Sequence, residues 1–142
     1  MKTENDFNAV YGKKLRVLQP KIHVVKISDK FTDGLSDFLL FGPSGAVALE
    51  NKFIKKWPSD NAKLLIHPFT GSQLTFLESI WLSGNRAYGM VAIDDSKEMF
   101  LIPYMNIPST GNWRTKDFKD ASHIIELEWL DTGHITTVLG VG

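Results

Sequence analysis

The sequence contains no cysteine. That excludes disulfides, zinc–thiolate centres and cysteine nucleophiles together, and it fits a reducing compartment. No apolar run approaches the roughly 18 residues that a membrane span requires. The opening MKTENDFNAV lacks a basic segment followed by an apolar one, so no secretory signal is expected there. Neither sign of charge prevails, since 16 basic and 16 acidic residues give a formal net charge of +0. This balance argues against an avid, sequence-blind coat on nucleic acid. It leaves room for an enzyme that sets acidic metal ligands beside basic contacts. No Walker or dinucleotide glycine loop is present, so neither a nucleotide cofactor nor NTP-driven chemistry is supported. His23, His67, His123 and His134 show no His-x-x-x-His spacing, and structural or surface roles are expected of them.

What is present reads as one ordinary domain, residues 1–142, with a single hydrophobic core. Hydrophobic residues make up 43% of the chain, nine Phe and four Trp among them, which excludes disorder over most of its length. No repeat, low-complexity tract or linker divides it. Residues 3–18 place Phe7, Val10, Tyr11, Leu15 and Leu18 on one helical face, with Gly12 weakening the middle and Pro20 ending it. Strands are predicted at 22–27, 37–41 and 46–53, with turns at Asp33-Gly34 and Gly42-Pro43-Ser44-Gly45, forming an antiparallel meander. Residues 55–68 are polar with two prolines and read as a long surface loop, a place where function often resides. A helix capped by Thr70 or Ser72 runs to Ser83, stopped by Gly84, with Leu74, Leu77, Ile80 and Trp81 facing inward. Strands at 87–93 and 98–103 follow, joined through Asp94-Asp95-Ser96-Lys97, where paired acids are ordinary turn chemistry. Residues 117–130 suggest a helix leading into a strand. The fold class implied is an α/β or α+β sandwich, a mixed β-sheet flanked by helices.

In the third strand, alternation puts Ala46, Ala48, Glu50 and Lys52 on one face and Val47, Leu49, Asn51 and Phe53 on the other. The second set is the natural core face. The first puts two small residues before a carboxylate and an ammonium, clearing space in front of a charged pair. If the strands pair across the glycine turn, Asp37 converges on Glu50. Two converging carboxylates repel unless a cation sits between them, and a hard ion such as Mg²⁺ or Mn²⁺ suits them. Such an ion activates water and stabilises charge on a phosphate, and Lys52 could polarise that water or neutralise the phosphate. The bland alternative is an edge hairpin whose Glu50–Lys52 pair is simply covered by water.

Ser36-Asp37 followed by Glu50-Asn51-Lys52 resembles the motif of the PD-(D/E)XK nucleases. With Gly34-Leu35-Ser36-Asp37, Ala48-Leu49-Glu50-Asn51-Lys52 and Gln73, the run is similar to the VRR-NUC and phage Holliday-junction-resolvase-like branch. The resemblance covers roughly residues 4–93 and leaves the last third unexplained. It implies a restriction-endonuclease-like core and a Mg²⁺-dependent DNA endonuclease acting on branched or flapped DNA. Asp37, Glu50 and the backbone carbonyl of Asn51 would hold the metal, and Lys52 would be the catalytic lysine. Gln73 would position, and Glu4 would be an outer or second-metal ligand, with Asp6 as a nearby rival. Ser36 stands where the motif's name has proline.

Lys55, Lys56 and Lys63, with Trp57 to stack on an unpaired base, are the candidate DNA contacts. Lys13, Lys14, Arg16 and Lys21 form a second basic group expected to face solvent. Trp113, Trp129 and Ile124-Ile125 read as core or a dimer face. The partners expected are DNA and a second copy of the chain, because resolving a junction takes two centres. No membrane is expected, and the expected location is the cytoplasm of a bacterium or phage-infected host. The rival reading is a non-catalytic nucleic-acid-binding or inhibitor module on the same fold.

Overall fold

The computed structural model describes residues 3–27, 37–65, 68–107 and 113–141. The Asp33-Gly34 turn, Ser36 and His67 lie outside the described residues. The chain opens with α1 (Glu4–Arg16), whose N-cap Thr3 and Asp6 form a reciprocal capping box. Phe7, Tyr11 and Leu15 are fully buried on its inner stripe, and Asn8 is buried beside them. Gly12 lies where the helix closes on the sheet, since a Cβ there would stand 3.3 Å from the Phe38 ring. The residue that weakens the helix locally lets it pack.

Strands β1 (His23–Lys26), β2 (Phe38–Gly42) and β3 (Gly45–Ile54) form the expected antiparallel meander, with Gly42 opposite Gly45 at the tight turn. Helix α2 (Gly71–Leu82), capped by Thr70, then crosses to β4 (Arg86–Ile93), which lies parallel to β3. Strand β5 (Glu98–Pro103) returns antiparallel through the Asp94–Lys97 turn, where the Asp94 carboxylate accepts from Lys97 Nζ at 2.6 Å. Helix α3 (Thr115–Asp120), β6 (Ile125–Leu127) and α4 (Gly133–Val138) complete the chain. The six strands among the described residues form one mixed sheet in sequence order, so β3 and β4 are central.

One face of the sheet is covered by α1 and α4 over a core containing Phe7, Tyr11, Leu49, Met90 and Ile135. The other is covered by α2 and α3 over Ala48, Leu77, Val91, Ile102 and Phe118. Ala48 is small because α2 crosses above it. It clears space for a helix as well as for a charged pair.

Two expectations are corrected, and one helix is new. Trp81 was placed on the inward face of α2 but is 40% exposed, and Leu77 alone in that helix is fully buried. The segment after β3 is not all surface, because Leu64 and Leu65 enter the second core. Helix α4 was not anticipated: its six residues, GHITTV, are too few to show a helical period. Among the described residues no helix is long and apolar enough to cross a membrane.

Candidate active site

The register that pairs Phe38 with Leu49 ends β2 there, so Asp37 stands at the end of that strand beside Glu50. Beyond that point no described strand pairs with β3 on this side. Two carboxylates take a strand's place there. Asp37 Oδ2 accepts the Asn51 backbone N–H at 2.8 Å, and Glu4 Oε1 accepts that of Phe53 at 3.2 Å. Each satisfies a part-buried amide that would otherwise cost about 1–3 kcal/mol. Asp37 Oδ1 also lies 3.6 Å from Lys26 Nζ. Asp6, the rival acid on α1, is engaged by the Thr3 backbone N–H at the helix cap.

Glu50 and Lys52 lie on the α2 side of β3, only 3% and 7% exposed. Water does not cover this pair, which removes the solvated-hairpin alternative. Lys52 Nζ stands 3.9 Å from Glu50 Oε1, and Gln73 bridges them. Its Nε2 donates to Glu50 Oε1 at 2.6 Å, and its Oε1 accepts from Lys52 Nζ at 3.3 Å. The same Oε1 accepts from the Thr70 N–H at 2.9 Å, closing the α2 capping box. An ammonium and a backbone amide both donate to that oxygen, so the amide must turn its nitrogen toward Glu50. The helix cap therefore orients the site.

The Phe69 ring lies 5.4 Å from Lys52 Nζ, a cation–π contact that confines the ammonium. Gly89, opposite Glu50 in the parallel register, makes room for that ring: a Cβ there would fall 2.5 Å from Phe69 Cζ. Gly89→Ala is expected to destabilise the protein by roughly 1–3 kcal/mol through overpacking. Chemical unfolding should show the double variant with Phe69→Leu costing less than the sum of the two singles. An additive pair would remove Phe69 as the obstacle.

Burial pushes the Glu50 carboxyl up to about 8, with the Asp37 charge next in size and Glu4 adding to it. Lys52 opposes the rise, and the Asp37 backbone amide opposes it least. Glu50 Oε2 is buried and has no partner of hydrogen-bonding geometry. Burial first, and the neighbouring acids after it, make a charged Glu50 costly here, and a cation beside Oε2 would offset that cost. Among the described residues no group of three or more His, Cys, Asp or Glu is arranged to hold a metal. Magnesium does not require one, since it binds through one or two carboxylates and fills its octahedron with water and phosphate oxygens. Asp37 and Glu50 fit that mode.

No protein-family model and no curated protein matches the chain. Among solved structures it is similar to Hjc, a Holliday junction resolvase of the archaeal hyperthermophile Archaeoglobus fulgidus. The identity is 11% and the TM-score 0.48, over 99% of this chain and 92% of that one.

Of the predicted DNA contacts, Lys55, Lys56 and Lys63 are exposed, and together with Lys52 and Glu4 they line one cavity. Trp57 is corrected. Its indole N–H donates to Glu98 Oε1 at 2.8 Å and its ring packs on Phe100 and Phe118, so it is committed to holding the fold. Lys13, Lys14, Arg16 and Lys21 are exposed, as expected. His23 and His134 pack against Phe41 and Tyr88.

The sequence reading missed Asn8, Lys26, Phe69 and Gly89. Asn8 accepts from Asn51 Nδ2 at 2.7 Å within the core. It could have been found from its place one turn after Glu4, next to Phe7 on the apolar stripe. Gly89 was visible as a glycine inside a strand pattern, which signals a close approach.

Proposed function

We propose that this chain is a divalent-metal-dependent DNA endonuclease, with Asp37 and Glu50 as metal ligands. The supporting observation is that Glu50 and Lys52 are buried side by side on a central strand, with Glu50 Oε2 unpartnered and Asp37 adjacent. The Asn51 backbone carbonyl is the third ligand in this reading. A bound Mg²⁺ or Mn²⁺ would supply Lewis acidity and a more acidic water.

The chain's own groups do the rest. Lys52 Nζ meets the negative charge that develops on the phosphate as water adds and the P–O ester bond breaks to a phosphomonoester and a hydroxyl. Gln73 holds Lys52 and Glu50 in fixed relation. Glu4 shapes the strand end and acts as an outer ligand. Lys55, Lys56 and Lys63 take backbone phosphates on either side of the break. Branched or flapped DNA is the proposed substrate, and a homodimer the proposed assembly for paired cuts.

Supercoiled plasmid and a synthetic four-way junction, each incubated with Mg²⁺ or Mn²⁺, test the reading. The expected result is nicking that EDTA abolishes. DNA left intact under every metal condition would overturn it.

A further inference from the structure

The segment after β3 is built as a wall. On one side Leu64 N–H donates to Trp113 O at 2.9 Å, Thr115 N–H to Ala62 O at 2.9 Å and Lys116 N–H to Asp60 O at 3.0 Å. On the other, Asp94 N–H donates to Ile54 O and Asp95 N–H to Lys55 O, both at 2.9 Å. The C-terminal third, which the sequence left without a role, thus braces the segment from outside. Between this wall and the site residues lies a cavity of about 810 Å³. That is within the range of roughly 300–1,000 Å³ of ligand sites, and the backbone bonds make it preformed.

Ile54, Pro58, Leu64 and Leu65 give the cavity apolar walls, while Lys52, Lys55, Lys56 and Lys63 supply cationic groups. An occupant that joins an apolar body to negative charge suits this lining. A continuous duplex offers the protein its backbone and the edges of its bases, but keeps the base faces stacked away from such walls. An unstacked nucleotide can set its base between the apolar walls and its phosphates on the lysines. Extruding a base from a paired duplex costs a few kcal/mol, and a strand already unpaired avoids that cost.

We infer that this cavity receives an unpaired nucleotide next to the scissile phosphate, so the enzyme prefers DNA with a single-stranded arm at the break. The inference rests on the nuclease reading, since Lys52 and Glu4 belong to both cavity and site.

The test compares a blunt duplex with the same duplex carrying a single-stranded arm, by fluorescence anisotropy in EDTA. The arm should tighten binding at least about tenfold. Ala62→Phe, which fills the cavity, should remove that advantage. For the unaltered protein, 2-aminopurine at the first unpaired position should change in fluorescence on binding, whether or not the variant folds. Equal affinity for the two DNAs, or an unresponsive 2-aminopurine, overturns the cavity assignment. If that same protein nicks plasmid with Mn²⁺, the nuclease reading survives it. A protein that neither binds nor cuts either DNA overturns both.

Discussion

Glu50→Gln is expected to be more stable than the parent above pH 8 and to have lost metal-dependent cleavage by at least about 100-fold. The two effects share a cause. In the metal-free fold the carboxyl is raised from its ordinary 4.5 to about 8, chiefly by burial. Below pH 4.5 both folded and unfolded chains hold the proton, and Glu50 behaves like its amide. Between 4.5 and 8 the unfolded chain gives the proton up while the folded chain keeps it, so stability falls as pH rises. Above 8 the loss is complete, on the order of a few kcal/mol. Gln keeps the shape and can accept from Gln73 but holds no charge, so it escapes that loss.

Thermal melts at several pH values check this, with the gap between variant and parent opening from acid to alkaline. A structural ion pair predicts the reverse, because breaking a buried pair costs about 3–5 kcal/mol. A site that is strained without its ion is stabilised by losing the residue that holds the ion. Lys52→Ala is the companion, expected to lower cleavage about 100- to 1,000-fold without improving stability. Full activity in Lys52→Ala would remove it from the mechanism.

The Glu50–Lys52 half of this site was legible from alternation along one strand, because strand geometry fixes which side chains share a face. Asp37 was legible only through the glycine turn, which sets the register that brings it opposite Glu50. The capping pattern Thr70 to Gln73 was also visible, but its second use was not. That Gln73 Oε1 serves the helix cap and Lys52 together depends on where α2 crosses the sheet, which no local pattern encodes. The same holds for the rest of the Glu50–Lys52 face of β3. Ala46 and Ala48 looked like open space in front of charges, whereas a parallel β4 and a crossover helix cover Ala48 entirely. Trp57 is a related case: an aromatic in a lysine-rich loop suits a nucleic-acid contact, and its packing partners on β5 and α3 come from far along the chain. Long-range contacts decided each of these.

Metal affinity should rise about tenfold per pH unit through the acid and neutral range and level off above about 8. The sign follows from competition for one carboxyl. A divalent ion binds the charged form, so below the carboxyl's own titration each binding event must expel a proton. Calorimetry with Mn²⁺ in buffers of different ionisation enthalpy should count about one proton released at neutral pH and none well above the plateau. Affinity that does not change with pH would exclude Glu50 as a ligand. Asp37→Asn separates the contributions further. Asp37 is the second-largest cause of the raised Glu50 carboxyl, so its neutral amide should move the plateau to lower pH. The amide oxygen can still accept the Asn51 N–H, which preserves the strand end. The variant is thus expected to bind Mn²⁺ more weakly at its plateau, for want of one charged ligand, yet to reach that plateau earlier. A plateau that weakens without moving would mean that Asp37 binds the ion without raising the Glu50 carboxyl, and burial and Glu4 would then have to account for that rise.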